Sequence, residues 1–323
     1  MMSLPDFKQK QIIFALLNMG EKLSFKNDNI VITDSEGKIK HQSTCYKLFA
    51  LFIVGHTSIT SGLLQRSKKF GFSITMFSYG LVPYGTWQYK TEGNFLLRQK
   101  QYAYDKTDIA KHLVANKILR SLSYLVKRRD KSDNLKLAIE NLKHYKNLLE
   151  DERLDFKEIL GIEGISSKLY FAHMFDNIAW NGRSPRTKKD ITNLLLDIGY
   201  MQLFHIIDAM LNLYGFDTYK GVYHKEFYRR KSLVADIIEP FRSIVDYAIR
   251  KAYNLGKIHE SDFDFIDGQY RIFGEKAKPY IFLILVAILE YKDEIFMYIQ
   301  QYYRAFMRDS PIAKYPVFEG KEI

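Results

Sequence analysis

The chain has 323 residues, of which 47% are hydrophobic, and it carries a formal charge of +11 at pH 7. This length and hydrophobic content exclude a largely disordered chain and allow two domains with a sizeable core. The positive charge favours an anionic partner, either a nucleic acid or an acidic membrane surface. Because Cys45 is the only cysteine, an intrachain disulfide and a zinc site built on several thiolates are both excluded, and we expect a reducing, intracellular setting.

Residues 22 to 90 have the pattern of β-strands. The stretch LSFKNDNIVITDSEGKIKH alternates and breaks at Asn27-Asp28 and at Ser35-Glu36-Gly37, as strands joined by tight turns do. Two apolar runs, LFALFIVG and FSITMFSYG, predict further strands, and ITSGLLQRSKKFG between them predicts one brief helix that ends at Gly71. We therefore expect a small N-terminal β-sheet domain that is similar to a β-sandwich.

From Asn94 onward, apolar residues recur at spacings of three and four, which predicts helices. The polar run Thr91-Glu92-Gly93-Asn94 precedes them. The predicted fold class is α+β, with a β-rich domain over residues 1–90 and a larger all-helical domain over residues 91–323. Within the latter, YIFLILVAIL is too short to span a bilayer and predicts a buried helix. The tail, residues 309–323, has two prolines and no helical period, so we expect it to be mobile until it docks on a partner.

The segment SLVADIIEPFR, residues 232–242, contains two acids one turn apart, and a proline follows the second. An amphipathic helix over this stretch places Asp236 and Glu239 opposite its apolar side. Pro240 lacks an amide hydrogen, which predicts a bend or a loosened turn beside the acids. Most charged helix faces simply point at water, so this pattern alone leaves a solvated face as an open alternative.

Two further positions are candidates for chemistry. Glu163 lies between Gly161 and Gly164 at a predicted helix start, where an acid suits the positive end of the helix, and His224 precedes a run of basic residues. Carboxylates with one imidazole are ligands suited to Mg²⁺ or Mn²⁺. Their separations along the chain match no short metal motif, so a plain helix-terminal acid and a surface histidine stay open as alternatives.

Four stretches give a stronger signal: GIEGISSKLYF around Glu163, NGRSPRTKKDITNLLLDIGY, GFDTYKGVYH ending at His224, and SLVADIIEPFRSIVD. With them, the chain resembles the CRISPR-associated protein 1 family, the integrase of bacterial and archaeal immune adaptation. The N-terminal stretch HQSTCYKLFALFIVGHTSITSGLLQRSKKFGFSI is similar to the β domain of this family, particularly of the versions that accompany type V systems.

The resemblance implies a metal-dependent enzyme that holds Mg²⁺ or Mn²⁺ with Glu163, His224 and Glu239. Asp236 lies at a neighbouring acidic position and ranks fourth, as an acid that binds the ion directly or through water. The implied reaction inserts double-stranded prespacer DNA into the CRISPR array, with each 3′-hydroxyl attacking a phosphodiester at one end of a repeat. The implied assembly is a homodimer through the β domain, and two such dimers flank a dimer of CRISPR-associated protein 2.

We expect basic clusters to contact DNA phosphates, because phosphate contacts dominate affinity for nucleic acid. The predicted contacts are Arg183, Arg186, Arg229, Arg230, Lys231 and Arg66, and the wider clusters add Lys68, Lys69, Lys127, Arg128, Arg129, Lys131, Lys188 and Lys189. The alternative function is a non-catalytic, basic nucleic-acid-binding assembly subunit. A peripheral membrane protein is disfavoured because the helices have the pattern of a core, and we expect a cytoplasmic protein.

Overall fold

A computed structural model describes residues 2–89, 93–129, 132–225 and 227–321. The chain forms two compact units, an N-terminal unit (Met1–Gly93 with Ile272–Pro279) and a helical unit (Asn94–Arg271 with Tyr280–Ile323). Strands dominate the first unit and helices the second, which confirms the predicted α+β class. The predicted boundary between residues 90 and 91 lies outside the described residues and stays a prediction.

The described residues of the N-terminal unit form two sheets. Its elements are α1 (Leu4–Lys8), β1 (Gln11–Leu16), β2 (Lys22–Lys26), β3 (Asn29–Thr33), β4 (Ile39–Thr44), β5 (Leu48–Val54), α2 (Ser61–Phe70), β6 (Ser73–Phe77) and β7 (Pro83–Trp87). One sheet has the order β1-β5-β6-β7, in which only the β6–β7 pair is antiparallel, and the other is the antiparallel meander β2-β3-β4. Both sheets and α2 contribute residues to a single apolar core.

The local turn signals of this unit are confirmed. Asn27 and Asp28 both have positive φ, as the two central residues of a tight hairpin turn require, and they join β2 to β3. Helix α2 ends at Gly71, whose φ of 74° is the left-handed conformation of a helix C-cap. Strand β1 was not predicted, because it pairs in parallel with β5 and therefore has no hairpin turn to mark it.

In the helical unit, several elements pack around helix α4. Its elements are α3 (Phe95–Ala103), α4 (Asp108–Val126), α5 (Asp133–Leu148), α6 (Phe156–Met174), α7 (Ile191–Tyr214), α8 (Ser232–Ile237), α9 (Arg242–Asn254), β8 (Asp264–Ile266), β9 (Gln269–Arg271), α10 (Gly274–Leu289, beginning in the N-terminal unit's segment) and α11 (Lys292–Met307). Helix α4 packs on α5, α6 and the 3-10 turn Glu239–Phe241, and α7 packs on α9. The β8–β9 hairpin is an addition to the predicted all-helical domain.

Two predictions for this unit concern where its helices begin and end. The bend at Pro240 is confirmed, since α8 stops at Ile237 and the 3-10 turn separates it from α9. The predicted helix start at Glu163 is wrong. Helix α6 begins at Phe156, because Asp155 and Glu158 form a reciprocal capping box there, and Glu163 lies in the interior of the helix.

The C-terminal tail differs from the prediction of a segment that is mobile until it meets a partner. Up to Lys321 it packs on the helical unit itself, with Phe318 buried and its backbone amide and carbonyl both hydrogen-bonded to the side chain of Asn116. The guanidinium of Arg120 lies 5.0 Å from the Phe318 ring centroid. The burial of Phe318 and its two backbone hydrogen bonds therefore fix the position of this segment, although its sequence has no helical period.

Helix α7 is long and apolar enough to cross a membrane by length and composition, although 78% of the relevant window is buried inside the structure. Such burial is typical of a core helix. At Gly199 an added Cβ would lie 2.3 Å from Val245 Cγ1, so the glycine permits the close approach of α7 to α9. This approach helps to position α9 beside the candidate site.

Candidate active site

Two of the predicted acids, Glu163 on α6 and Glu239 on the 3-10 turn, converge on one cation. That cation is the ammonium group of Lys117, from α4, which forms an ion pair with Glu163 Oε1 and lies 2.8 Å from Glu239 Oε2. Ser167, one turn further along α6, donates a hydrogen bond of 2.8 Å to Glu163 Oε1. The acids are therefore not part of a solvated helix face, because Glu239 is only 5% exposed.

Glu239 is a buried acid that stays ionised. Burial by itself would raise its pKa, but Arg242 and Lys117, with a smaller contribution from His224, outweigh burial and lower the pKa to about 2. Arg242 Nε donates a hydrogen bond of 3.0 Å to Glu239 Oε1. The site therefore holds a permanent negative charge that is balanced by cations.

Asp236 and His224 form a second arrangement next to the acid pair. The backbone amides of Val222, Tyr223 and His224 donate to the Asp236 carboxylate over 2.6–3.1 Å, and His224 Nδ1 lies 2.7 Å from Asp236 Oδ1. Asp236 is fully buried, and both of its oxygens are used in holding this loop. These contacts indicate that Asp236 positions His224, and its predicted role as a fourth metal ligand stays a prediction.

Gly221 is necessary for this loop. A Cβ added at this position would lie 2.8 Å from Asp236 Oδ2, from the His224 carbonyl oxygen and from Ser232 Cβ. Only a residue without a side chain lets the loop close around the Asp236 carboxylate. The motif GFDTYKGVYH thus supplies a glycine for close approach and the histidine three residues later.

A third acid, Asp246 on α9, has a different environment. It is 2% exposed and accepts hydrogen bonds from the hydroxyl groups of Tyr170, at 3.0 Å, and Tyr200. Burial raises its pKa to about 6, because the two tyrosine hydrogen bonds and the nearby Arg242 and Arg183 only partly offset the cost of desolvating the charge.

The acid pair opens into a cleft of about 960 Å³ within the helical unit, which we call the central cleft. Its wall combines Glu163 and Glu239 with aromatic and basic side chains, including Phe171, Trp180, Arg186 and Arg230. Phosphate groups and bases are recognised by this combination of cations and aromatic faces. The central cleft therefore has the chemistry expected for a nucleic-acid strand.

The predicted DNA-contacting residues fall into two groups. Arg186, Arg229 and Arg230 are exposed. By contrast, Arg183 is paired with Asp197 at 2.6 Å, Lys231 with Asp208 at 2.7 Å, and Arg66, in the N-terminal unit, with Asp28 at 3.2 Å. A cation already paired with an acid contributes less to phosphate binding, so we give priority to the exposed group.

Members of the wider basic clusters are divided in the same way. Arg128 pairs with Asp176 at 2.6 Å and Lys69 with Asp28 at 3.1 Å. Lys131 lies outside the described residues. All of these DNA contacts stay predictions.

The residues of the acid pair fit a hard cation, because two carboxylates already share the ammonium of Lys117. In addition, the buried hydroxyl of Tyr223 has no hydrogen-bond partner among the described residues. Burial is the largest cause that raises the pKa of this hydroxyl, and the nearby acids Glu163, Glu239 and Asp236 raise it further. Within residues 2–89, 93–129, 132–225 and 227–321, no group of three His, Cys, Asp or Glu side chains is arranged to hold a metal ion. The carboxylate pair thus suits a cation, whereas His224 as the third ligand stays a prediction.

Sequence reasoning missed Lys117, Ser167 and the two tyrosines on Asp246. Lys117 was detectable in principle, because it stands in the largely buried helix α4, between the buried residues Asn116 and Ile118. A lysine on such a helix needs a partner for its charge. Nothing local identifies the partner, because the acids lie far along the chain.

The fold of this chain is similar to the folds of several solved structures. A chain of a Cas6-RT-Cas1–Cas2 complex superposes with a TM-score of 0.79 over 97% of this chain at 21% identity, and this chain spans only 36% of that longer chain. A casposase bound to integration product superposes with a TM-score of 0.75 at 19% identity, over 97% of this chain and 96% of the casposase. At these identities the likeness concerns the fold.

Sequence comparison identifies the family. The family described as "CRISPR associated protein Cas1" matches residues 14–282. The CRISPR-associated endonuclease Cas1 1 of Chlorobaculum tepidum is 30% identical over 270 residues, which are 76% of this chain and 76% of that protein. The chain therefore belongs to the Cas1 family, which confirms the resemblance. Its association with type V systems stays a prediction.

Proposed function

We propose that this protein is a divalent-metal-dependent DNA integrase and endonuclease of CRISPR adaptation, which inserts prespacer DNA into the CRISPR array by transesterification from a 3′-hydroxyl. The observation that carries the proposal is the pair Glu163 and Glu239, which share one cation at a basic, aromatic cleft in a chain of the Cas1 family. The name of the Chlorobaculum tepidum relative, an endonuclease, supports phosphodiester chemistry.

Glu163 and Glu239 would hold Mg²⁺ or Mn²⁺, and His224 would be the third protein ligand. When bound, the ion supplies Lewis-acid stabilisation of the charge that develops on the scissile phosphate. Asp236 fixes His224 through Nδ1 and thereby leaves Nε2 as the ring nitrogen for a ligand or for the proton of the attacking hydroxyl. Arg242 keeps Glu239 ionised in its buried position.

The central cleft would bind the DNA. The cations of Arg186 and Arg230 on its wall would neutralise phosphates, and the rings of Phe171 and Trp180 would exclude water or stack on an unpaired base. We propose Arg229, exposed beside Tyr228, as an additional phosphate contact. Affinity would then depend on several residues away from the acid pair, so that binding and chemistry can be separated by mutation.

The proposed assembly includes a second protein. The similar chain of known structure belongs to a Cas6-RT-Cas1–Cas2 complex, and this association supports Cas2 as the partner here. We propose a homodimer formed through the N-terminal unit, two of which flank a Cas2 dimer across a duplex prespacer. A cytoplasmic location would give this assembly access to the chromosomal array.

The test is an integration assay. The purified protein is incubated with its Cas2 partner, a 3′-hydroxyl duplex and a supercoiled plasmid bearing the repeat, with Mn²⁺ or Mg²⁺ or with a chelator. We expect integration in wild type with either metal, and none in the Glu163→Gln, His224→Ala and Glu239→Gln variants or in the chelator. Duplex affinity should change little in the three variants, because the phosphate contacts lie elsewhere.

Two results would contradict the proposal. Integration that persists in all three variants would overturn the site, and wild type that binds the duplex without metal-dependent cleavage or integration would favour the alternative, a non-catalytic nucleic-acid-binding subunit. Arg186→Ala is the matched binding variant. It should weaken duplex affinity and lower the slope of log affinity against log salt concentration by about one unit, without abolishing integration at saturating DNA.

A further inference from the structure

Lys117 is the group on which the acid pair converges. Its ammonium pairs with Glu163 and lies 2.8 Å from Glu239 Oε2, and its side chain is only 17% exposed. Burial alone would lower the pKa of Lys117, but the Glu239 and Glu163 carboxylates outweigh burial and raise it. A positive charge is therefore held between two negative charges in a largely water-excluded position.

This arrangement has a physical cause. Two carboxylates that approach one point repel each other, and one of them takes up a proton unless a cation lies between them. Of the two acids, Arg242 pairs with Glu239, at Oε1, and Ser167 is a neutral donor to Glu163. Lys117 is thus the cation that bridges the two acids in the described structure, and it ties α4 to α6 and to the 3-10 turn.

We propose that Lys117 is a built-in counter-ion of the acid pair, which a divalent metal must displace in order to bind Glu163 and Glu239 together. This inference rests on the proposed metal-dependent function. Both cations require the same carboxylate oxygens, so they compete. The lysine stabilises the metal-free protein and lowers its apparent affinity for the metal.

Displacement leaves the ammonium at the wall of the central cleft, which Lys117 lines together with Ser121, Lys168 and Arg230. A cation released there faces the space that the DNA phosphates would occupy. The same side chain would then serve two states of the protein, as a partner of the carboxylates without metal and as a positive group at the cleft once metal is bound.

The first experiment measures thermal unfolding in a chelator. Lys117→Met keeps the length of the side chain but removes its charge, so we expect a lower melting temperature than wild type, because two buried carboxylates lose their shared cation. Adding Glu163→Gln to Lys117→Met should recover most of this loss, since one of the repelling charges is then neutral. A loss that the second substitution leaves unchanged would overturn the pairing.

The matched control is Lys111→Met. Lys111 is another buried lysine of α4, and its ammonium lies 3.4 Å from Asp108 Oδ1 and 3.3 Å from the Asp151 carbonyl oxygen, away from the acid pair. Adding Glu163→Gln to Lys111→Met should recover nothing. Lys117→Arg, which retains the charge, serves as a second variant if Lys117→Met folds poorly, and it should unfold close to the wild-type temperature.

The second experiment measures the affinity for Mn²⁺ by titration calorimetry without DNA. We expect Lys117→Met to bind Mn²⁺ at least about tenfold more tightly than wild type, because no ammonium has to be displaced. Lys111→Met should bind as wild type does. A merely structural role of Lys117 would leave the affinity unchanged or weaken it, and either result would overturn the competition.

The two experiments separate this inference from the proposed function. If neither wild type nor Lys117→Met binds Mn²⁺, the metal-dependent function and the displacement step both fail, whereas the unfolding data still decide whether Lys117 is the counter-ion. If Mn²⁺ binds equally to both proteins and Glu163→Gln abolishes that binding, the function stands and the competition is wrong.

Discussion

Glu239 and Asp246 are two acids of the same wall of the helical unit, and they are almost equally buried, at 5% and 2% exposure. Their pKa values nevertheless move in opposite directions, to about 2 and about 6. Glu239 has the ammonium of Lys117 and the guanidinium of Arg242 within 3.0 Å, whereas the groups bonded to Asp246 are two neutral tyrosine hydroxyls.

Because both acids are almost equally buried, the charge of their nearest partners decides which of the two stays ionised. Desolvation acts on both carboxylates in the same direction, and at Glu239 two full positive charges at contact distance overcome it. A site that must attract a cation therefore needs the Glu239 environment. The Asp246 environment instead favours a carboxyl group that is partly protonated near neutral pH.

The largest expected effect comes from removing a cation beside Glu239. Arg242→Met leaves that carboxylate with Lys117 as its remaining contact cation and removes the packing of the guanidinium over Tyr200, 4.6 Å from the ring centroid. We expect the free energy of unfolding to fall by roughly 3 to 5 kcal/mol, as for other broken buried pairs. Chemical denaturation at pH 7 in a chelator measures this.

The control for that substitution is Arg153→Met, which removes an arginine from an exposed ion pair with Asp151. Solvent screens this pair, so little change in stability is expected. If both variants lost the same free energy of unfolding, burial of the ion pair would make no difference to stability. That result would contradict our comparison of the two environments.

Asp246→Asn tests the other environment through pH. The folded pKa of about 6 lies above the ordinary value of 3.8, so the folded state binds the proton more tightly, and the contribution of Asp246 to stability is full below pH 3.8 and is lost as pH rises through 6. Relative to the Asp246→Asn variant, wild type should lose about 3 kcal/mol between pH 3 and 7. Denaturant titrations at several pH values measure this, and a constant difference would contradict it.

The contribution of Glu239 to stability should depend on pH in the opposite direction, and the Glu239→Gln variant tests this. The change in stability is smaller within the accessible pH range. Its folded pKa of about 2 lies below the ordinary value of 4.5, so its contribution to stability is present above pH 4.5 and is lost as pH falls toward 2. In a chelator, wild type should lose about 2 kcal/mol relative to the Glu239→Gln variant between pH 4.5 and 3. If the free energy of unfolding depended on pH in the same way in both proteins, this prediction would be contradicted.

The smallest expected effect concerns Asp236, a third buried acid, whose side chain accepts hydrogen bonds from three backbone amides. Gly221→Ala puts a Cβ against Asp236 Oδ2 and should cost about 1 to 3 kcal/mol and weaken the placement of His224. Gly161→Ala, on α6, meets no atom within 4 Å and should instead stabilise the helix by roughly 0.5 to 1 kcal/mol. Thermal unfolding of both variants checks the sign of each effect.

Local sequence signals account for much of the fold. The hairpin turn at Asn27-Asp28, the end of α2 at Gly71 and the break at Pro240 each depend on the conformational limits of a few adjacent residues. The helix start at Glu163 was predicted wrongly because two glycines suggested a boundary. The capping box of Asp155 and Glu158, which is also visible in the sequence, marks the true start.

The site was predictable only in part, because its geometry joins residues that are distant in sequence. The family resemblance predicted Glu163, His224 and Glu239, but not that Lys117 lies between the two glutamates or that Asp236 is bound by three amides. The tail shows the same limit. Phe318 docks beside Asn116 through tertiary packing, for which a segment without periodicity offers no local signal.

The most direct test is a crystal structure of the protein soaked in Mn²⁺, with an anomalous difference map. Our account predicts one manganese peak that contacts a carboxylate oxygen of both Glu163 and Glu239, with the ammonium of Lys117 moved away from between them. A peak that touches only one of the two glutamates, or none in the central cleft while Lys117 keeps its ion pairs, would contradict the claim that these acids share a metal.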